Sequence, residues 1–455
     1  MIGLDIPRID AESKVTGEAL YPGDLNADDM LHMKILWADR PHARVVSIDT
    51  SEAIAHPGVV AVFTAADVPN NEYGLVMPDQ PVLCGPGSSK QDADIVRTTM
   101  DQIAVIVAET VEAASAARDL IKVRYDNLPG VFDPFEAMSE GAPQLHRNTP
   151  NNILAHYRVQ QGDMEAAWAE AEVVVEGTYH TTWQEHAYLQ PEAGLSYVDD
   201  EGRVTVVVAG QDAHEDLHQI CHALELPAEQ VRVRYAAVGV AFGGREDMSV
   251  QIVLALATHK LRRPVKIVWS REESTRYHHK RHPITVKTRW GARRDGSIIA
   301  VEAEVVGDAG AYAYTSTKVL ANATLMVTGP YRIPNVQVDT YTVYTNNLPA
   351  GAFRGFGGPQ GAFAAETQIN RLAVQLAMDP VDLRLKNVLQ ENDLLSVGTP
   401  LPAGINIGSV IEACALNSGW QNVSGQWRRR INYTLLLTST RRRGVGFAVG
   451  YKNVG

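Results

Sequence analysis

Two glycine-rich loops contain the residues of this sequence whose types are best suited to holding an anionic ligand. The first glycine loop runs through residues 239–246 and includes Phe242. The second glycine loop runs through residues 351–361, where five of eleven residues are glycine and where Arg354 and Phe356 also lie. Glycine lets backbone N–H groups approach a ligand closely because it has no Cβ atom. Each loop alone is most simply a tight turn before a core helix, whereas the pair favours one large anionic cofactor held from two sides.

Each glycine loop must be positioned by the elements on either side of it. Apolar residues with helical spacing follow the first loop at residues 250–261 and the second loop at residues 359–378. We therefore predict that both loops end at a helix N-terminus, where unpaired N–H groups and the helix dipole favour an anion. Strands are predicted before the two loops, at residues 231–235 and 336–344.

The composition limits the classes of partner that suit the chain. Its 455 residues are enough for two or three domains with their own cores. The 41 basic and 53 acidic residues give a net charge of −12, which argues against nucleic-acid and acidic-membrane partners. No apolar run approaches the length of a membrane span, and the first residues do not resemble a secretory signal. We therefore expect a cytoplasmic protein.

The residue types that commonly bind metals do not form a convincing site in the sequence. The three cysteines are far apart and form no C-x-x-C motif, which excludes a disulfide scaffold and an iron–sulfur cluster bound by this chain alone. His278, His279 and His282 are close in the sequence, but arginine and lysine residues interleave with them. Because cationic neighbours oppose a divalent ion, we predict a basic surface or a phosphate contact there and not a zinc site.

The order of predicted elements divides the chain into segments. Alternating strands and helices predict an α/β domain over residues 1–130. Residues 131–160 are rich in proline and asparagine and are predicted to be a linker. Residues 161–420 again combine strands and helices in a larger domain. Residues 421–455 are polar and arginine-rich, with one last strand predicted at residues 445–451.

The two glycine loops also carry a resemblance to a known family. Residues 352–360, A-F-R-G-F-G-G-P-Q, and residues 242–246, F-G-G-R-E, resemble the large-subunit signatures of the xanthine dehydrogenase family of molybdenum hydroxylases. Supporting stretches run along nearly the whole chain, among them residues 14–17, 281–283 and 331–334. The resemblance implies a mixed α/β (α+β) fold, in which an N-terminal α/β hammerhead-like domain precedes the first of two molybdopterin-binding domains.

The same resemblance bears on the end of the chain. It implies that residues 421–455 are an arginine-rich connector and the start of a second, absent domain. In the family, the general base lies in that second domain. We therefore expect this chain to be inactive without a second polypeptide that completes the site, whether the catalytic chain is naturally split or the gene product is truncated.

Residues that would hold the cofactor are implied by the resemblance. Gln211 matches a glutamine whose amide donates to a terminal ligand of molybdenum, and Arg354 matches a residue whose backbone N–H reaches the metal's oxygen ligand. Phe242 and Gly243 match positions in the first cofactor loop. Molybdenum is held by the pterin, so no protein ligand to the metal is expected. From spacing alone, Gln211 is more simply a polar residue at the start of a helix.

Residues that would face the substrate are implied in the same way. Glu246 matches a carboxylate that faces the substrate in purine-using members, and with Gln211 and Arg354 it completes the candidate catalytic set. Phe356 matches an aromatic residue that packs on the substrate ring. Asn322 stands where xanthine-using members carry an arginine, which disfavours xanthine as a substrate. From the residues alone, Glu246 could instead complement a helix dipole, and Phe356 could be part of the core.

The resemblance finally implies an activity. Members hydroxylate an aromatic N-heterocycle or an aldehyde, with water as the source of oxygen. The expected cofactor is molybdopterin, with the cytosine dinucleotide as one of its forms. Iron–sulfur clusters and FAD are expected on partner chains, because neither can be placed on this sequence. The alternative hypothesis is a non-catalytic molybdopterin-binding or assembly subunit.

Overall fold

The computed structural model describes residues 3–429 and 444–452. Its α-helices are α1 (Ala11–Thr16), α2 (Ser51–Ile54), α3 (Val111–Arg118), α4 (Pro134–Ala137), α5 (Met164–Glu170), α6 (Ala213–Leu224), α7 (Gln251–Leu261), α8 (Arg271–Tyr277), α9 (Ser316–Met326), α10 (Gly358–Gln375), α11 (Pro380–Asn387) and α12 (Ile407–Asn417). Its strands are β1 (Leu31–Trp37), β2 (Ala43–Asp49), β3 (Val59–Phe63), β4 (Ile95–Val96), β5 (Gln102–Ala108), β6 (Lys122–Asn127), β7 (Ile153–Gln161), β8 (Val173–His180), β9 (Ala193–Val198), β10 (Val204–Val208), β11 (Val231–Tyr235), β12 (Val265–Val268), β13 (Ile284–Ala292), β14 (Ile298–Gly310), β15 (Asn335–Tyr344), β16 (Trp420–Val423) and β17 (Gln426–Arg429). The predicted mixed α/β class is confirmed.

A large sheet joins strands from the two sides of residue 130. Its strand order, within the residues that the structure describes, is β11-β10-β9-β12-β1-β5-β3. Strand β1 pairs in parallel with β12, with Leu31 opposite Val265, and pairs antiparallel with β5 on its other edge. Alternate residues of β1 are buried, as the period of two in a strand requires. One sheet and one core therefore extend across residue 130, where a domain boundary is predicted.

A second sheet contains the strand that precedes the second glycine loop. Its order, again among the described residues, is β7-β15-β14-β13-β8, and helices α9 and α10 pack on it. The core between these helices and the sheet is apolar and fully buried at Trp290, Leu320, Ile369 and Leu372. Burying a large apolar side chain contributes about 1.5–3 kcal/mol, so this layer fixes the position of the start of α10.

The two glycine loops leave different sheets. The first lies between β11 of the large sheet and α7, and the second lies between β15 of the second sheet and α10. The helices predicted after the two loops are confirmed by α7 and α10. Both predicted preceding strands are confirmed by β11 and β15.

Several elements differ from the sequence predictions. The predicted linker at residues 131–160 contains most of β7, an alternating segment that the surrounding prolines and asparagines obscured. The segment 444–452 contains no strand in its described residues, so the strand predicted at residues 445–451 is wrong. The arginine-rich connector begins with the β16–β17 hairpin, and its residues 430–443 lie outside the described part of the chain.

The described residues contain no helix that is both long and apolar enough to cross a membrane. All three cysteines are unpaired: Cys84 is buried, Cys221 is half-buried and Cys414 is exposed.

A buried ion pair fixes α11 against α10, behind the second glycine loop. The Arg384 side chain is fully buried, and its Nη2 lies 2.7 Å from Oε2 of Glu366. The same carboxylate accepts hydrogen bonds from the Tyr331 hydroxyl and from the Val449 N–H. Glu366 therefore links α10, α11 and the segment 444–452.

Arg384→Met should lower the free energy of unfolding by about 3–5 kcal/mol, because it leaves the buried Glu366 carboxylate without its cation. Lys386→Met is the matched control on the same helix, since Lys386 pairs with Asp295 at 3.3 Å in a more exposed position. The control should change the free energy by less than about 1 kcal/mol. Urea unfolding of the purified chain measures both values, and equal losses in the two variants would contradict this role of Arg384.

Candidate functional site

Both glycine loops depend on residues in the left-handed region of backbone space. In the first loop Phe242 has a φ of 53° and Gly243 a φ of 98°. In the second loop Gly355, Phe356 and Gly357 have φ values of 93°, 50° and 86°. A Cβ atom on Gly357 would lie 2.2 Å from a backbone oxygen of α9, so glycine is required there for the close approach of loop and helix.

A backbone hydrogen bond connects the two loops directly. The N–H of Arg354 donates to the carbonyl of Phe242 at 2.8 Å. A Cβ atom on Gly243 would lie 2.8 Å from the carbonyl oxygen of Ala352, which shows how closely the two backbones pack. The family resemblance implies that the N–H of Arg354 reaches an oxygen ligand of the metal. In this structure that N–H is already donated to Phe242, so it does not point to a ligand.

Gln211 follows β10 and contacts the end of the first loop. Its side-chain oxygen accepts the backbone N–H of Arg245 at 3.2 Å. Its backbone N–H donates to the carbonyl of Arg245 at 3.1 Å. The amide NH₂ has no partner among the described residues, and the side chain is exposed. The cap of α6 is Asp212, whose carboxylate accepts the N–H of Glu215. Gln211 is therefore not needed to start the helix, and its donor end remains available.

Asn322 and Phe356 are brought together by α9 and the second loop. The side-chain amide of Asn322 donates to the carbonyl of Phe356. The Asn322 side-chain oxygen is buried and has no partner in the described residues. The Phe356 ring is half-buried and packs against the core of the second sheet, so it contributes to that core. Asn322 thus fixes the backbone at Phe356.

Glu246 lies half-buried at the end of the first loop, close to charges from two other elements. Burial raises the pKa of the Glu246 carboxyl, nearby Lys318 lowers it, and nearby Asp212 raises it. Since desolvation is the largest of these effects, Glu246 takes up a proton more readily than an exposed glutamate. Such a group is suited to a hydrogen bond with a polar ligand.

The arginine of the first loop does not face a ligand. Arg245 is buried, its Nη1 lies 3.2 Å from Glu192, and its guanidinium packs over the Tyr188 ring at 4.2 Å. Its Nη2 donates to the carbonyl of Gln190. The first loop is therefore anchored to the protein interior through Arg245, and only the second loop carries an exposed arginine, Arg354.

The prediction of a basic surface at residues 278–282 is wrong. His278, His279 and His282 are all buried. His278 and His279 lie behind the two glycine loops, together with His186 from the segment before β9. Cationic residues interleaved with histidines are typical of a surface, and the segment has no apolar periodicity that would indicate burial. Of the buried cations, Lys280 is paired with Glu185, and Arg281 donates to the carbonyl of Arg354 and packs on the Phe353 ring.

Comparison with known proteins bears on what this site binds. Residues 145–388 match the profile of the molybdopterin cofactor-binding domain, and residues 16–129 match the a/b hammerhead domain of aldehyde oxidase and xanthine dehydrogenase. The chain is 40% identical over 413 residues to the nicotinate dehydrogenase large molybdopterin subunit of Eubacterium barkeri, covering 90% of this chain and 95% of that one.

Two further similarities cover about half of the matched protein. The chain is 40% identical over 388 residues to a probable xanthine dehydrogenase subunit of Bacillus subtilis, covering 85% of this chain and 51% of that one. Its fold superposes on the aldehyde oxidoreductase from Desulfovibrio gigas with a TM-score of 0.85 at 29% identity, covering 91% of this chain and 47% of that one.

The charges around Glu246 give a test of its environment. Lys318→Met should raise the pKa of Glu246, because it removes the cation that lowers it, and Asp212→Asn should lower the pKa. Asparagine keeps the helix cap, so α6 should be undisturbed. The infrared carboxyl band that is lost in Glu246→Gln, followed against pH in each background, measures both shifts. Shifts of the same sign in the two variants would show that Glu246 does not sense these charges.

Proposed function

This chain belongs to the xanthine dehydrogenase family of molybdenum hydroxylases, and we propose that it is the catalytic subunit that binds molybdopterin and hydroxylates an aromatic N-heterocycle or an aldehyde. The family expected from the resemblance is confirmed by the two domain matches and by the 40% identical relatives. A hammerhead domain followed by a molybdopterin-binding domain is likewise confirmed. The relatives are molybdenum-dependent oxidoreductases, which supports an enzyme over an assembly subunit.

The observation that carries the proposal is the free amide of Gln211 beside two bonded glycine loops. A neutral NH₂ donor suits an oxo ligand, since it supplies a hydrogen bond without bringing a charge into the site. Loops with successive left-handed residues present N–H groups that suit phosphate oxygens. The residues present therefore fit a molybdopterin cofactor, with Gln211, Phe242 and Gly243 on one side of it and the exposed side chain of Arg354, whose N–H is already donated to Phe242, on the other.

The chemistry divides between the cofactor and the protein. When bound, the molybdenum cofactor supplies the two-electron oxidation in which water provides the oxygen atom. The protein orients the reactants: Gln211 donates its amide hydrogen bond, and Phe356 offers an aromatic face for a planar substrate. Glu246 can share a proton with a polar substrate atom because burial has raised its pKa. Asn322 holds the backbone of Phe356 in place.

The substrate we favour is a simple N-heterocycle such as nicotinate, ahead of xanthine. Asn322 is a neutral residue whose NH₂ is already donated to the carbonyl of Phe356, so it offers no positive charge to a purine oxyanion. A hydrogen bond to a charged group contributes about 1.5–3 kcal/mol, which xanthine would lose here. The relative matched over 95% of its length is named for nicotinate.

Partner chains are part of the proposal. Gln211, Phe242 and Arg354 are exposed in the described chain, which leaves one side of the cofactor site for a second chain that supplies the second molybdopterin domain and the general base. The three unpaired cysteines are scattered, so we place iron–sulfur clusters on other subunits, and we place FAD there as well because the family resemblance implies it. Relatives named as subunits support an assembly of several chains. We place this assembly in the cytoplasm, where unpaired cysteines are normal.

The purified multi-chain complex should contain molybdenum and should oxidise nicotinate with a higher kcat/KM than xanthine. The isolated chain should show neither stoichiometric molybdenum nor turnover. Metal analysis and steady-state kinetics on both samples make the test. Efficient xanthine turnover by the complex would refute the substrate assignment, and turnover by the isolated chain would refute the need for a second chain.

Two substitutions at Gln211 separate its two hydrogen-bonding ends. Gln211→Glu keeps the oxygen that accepts the Arg245 N–H but replaces the donor, and Gln211→Ala removes both. Both variants should lower kcat by roughly 10²-fold, the scale for losing one preorganised donor. Only Gln211→Ala should also loosen the first loop, seen as faster hydrogen exchange at Arg245. A normal kcat in either variant at full molybdenum content would remove Gln211 from the catalytic set.

A further inference from the structure

Three buried histidines lie behind the two glycine loops and belong to no role described so far. The side-chain nitrogens of His186, His278 and His279 lie within 4.8 Å of one another. Such a group suggests a metal site. Lys280 and Arg245 lie close enough to lower the pKa values of the rings, and cations at this distance oppose a metal ion. Nε2 of each ring instead lies near a backbone carbonyl of the protein.

Each histidine faces a backbone carbonyl of a glycine loop. Nε2 of His278 lies 2.7 Å from the carbonyl oxygen of Gly244 in the first loop. Nε2 of His186 lies 2.8 Å, and that of His279 3.4 Å, from the carbonyl oxygen of Ala352 in the second loop. Because a carbonyl oxygen can only accept, a proton on Nε2 of each ring is donated to it. Nδ1 of His278 also faces a carbonyl, that of His279, at 3.0 Å. A neutral ring carries only one proton, and the shorter contact places it on Nε2 of His278.

The three rings form one packed unit. The His278 and His279 rings have centroids 4.2 Å apart, and the His186 ring lies 5.2 Å and 5.0 Å from them. Glycine in each loop permits this packing. A Cβ atom on Gly351 would lie 2.5 Å from the His279 ring, and one on Gly244 would lie 3.0 Å from the His278 ring. The rings therefore touch each other and both loops at once.

The surroundings keep these rings neutral. Burial lowers the pKa of His186 to about 4 and those of His278 and His279 well below their usual value. His186 lowers the pKa of His278 further, and His186 and His278 together lower that of His279, because adjacent imidazolium ions would repel. The carboxylates near them are Glu192, 3.7 Å from His278, Asp247, 4.0 Å from His279, and Glu185, which raises the pKa of His186 by less than burial lowers it. At neutral pH the histidines act as uncharged donors.

We propose that His186, His278 and His279 are positioning residues that clasp the two glycine loops together and so set the spacing of the cofactor site. The part of this proposal that concerns the cofactor rests on the proposed function. The mechanical part concerns only the loops, and it can be tested without a cofactor. A side chain that bonds only the first loop should, through the packed rings, also control the mobility of the second.

The test uses His278, whose Nε2 bonds only the first loop. In the purified complex, His278→Leu should raise hydrogen–deuterium exchange about tenfold in peptides covering residues 240–248 and also in those covering residues 350–358. The molybdenum content and kcat should fall, while KM changes less. His146→Leu is the matched control, because His146 also lies 2.8 Å from a backbone carbonyl, that of Ala311, away from both loops. It should leave exchange in both peptides unchanged.

A second pair of variants covers a failure of His278→Leu to fold. Glutamine places an amide NH₂ near the position of Nε2, whereas the shorter asparagine does not reach it, so His278→Gln should restore protection of both loops and His278→Asn should not. Unchanged exchange at residues 350–358 in a folded His278→Leu, or equal exchange in the glutamine and asparagine variants, would overturn the clasp. A wild-type complex without molybdenum would overturn the proposed function alone, because the exchange results would still decide the clasp.

Discussion

The hydrogen bond from the N–H of Arg354 to the carbonyl of Phe242 joins two parts of the protein that are built separately. The first glycine loop connects a strand of the large sheet to α7, and the second connects a strand of the other sheet to α10. Neither sheet can move relative to the other without changing this contact. The shape of the site is therefore set by how two independent cores meet, more than by the loops themselves.

Both loops hold a phenylalanine in a backbone conformation that normally suits glycine. Phe242 and Phe356 have φ values of 53° and 50°, and each has a glycine directly beside it. Conformations of this kind cost about 1–3 kcal/mol each and persist only where the surroundings enforce them. Arg245 anchors the first loop to Glu192, and Asn322 holds the second at the carbonyl of Phe356. The interior thus stabilises two strained turns at the place where a ligand would bind.

The local parts of this architecture were predictable from the sequence and the non-local parts were not. Helix α10 was predictable because its apolar residues have helical spacing, and α7 because an apolar run of helical length follows the first loop. The pairing of β1 with β12 was not, since nothing in either strand specifies a partner more than 200 residues away. The burial of His278 and the donation of the Arg354 N–H to Phe242 depend on such tertiary contacts. The family resemblance supplied candidate residues, but it did not supply their hydrogen-bond partners.

The pairing of β1 with β12 affects how the protein folds during its synthesis on the ribosome. One edge of β1 can pair with β5 early, but its other edge needs β12, which is made only after residue 265. At typical synthesis rates the two strands emerge on the order of ten seconds or more apart. During that interval the nascent chain presents an unpaired strand edge, the kind of surface that invites aggregation. A chaperone that shields this edge until β12 emerges would therefore improve the yield of the folded protein.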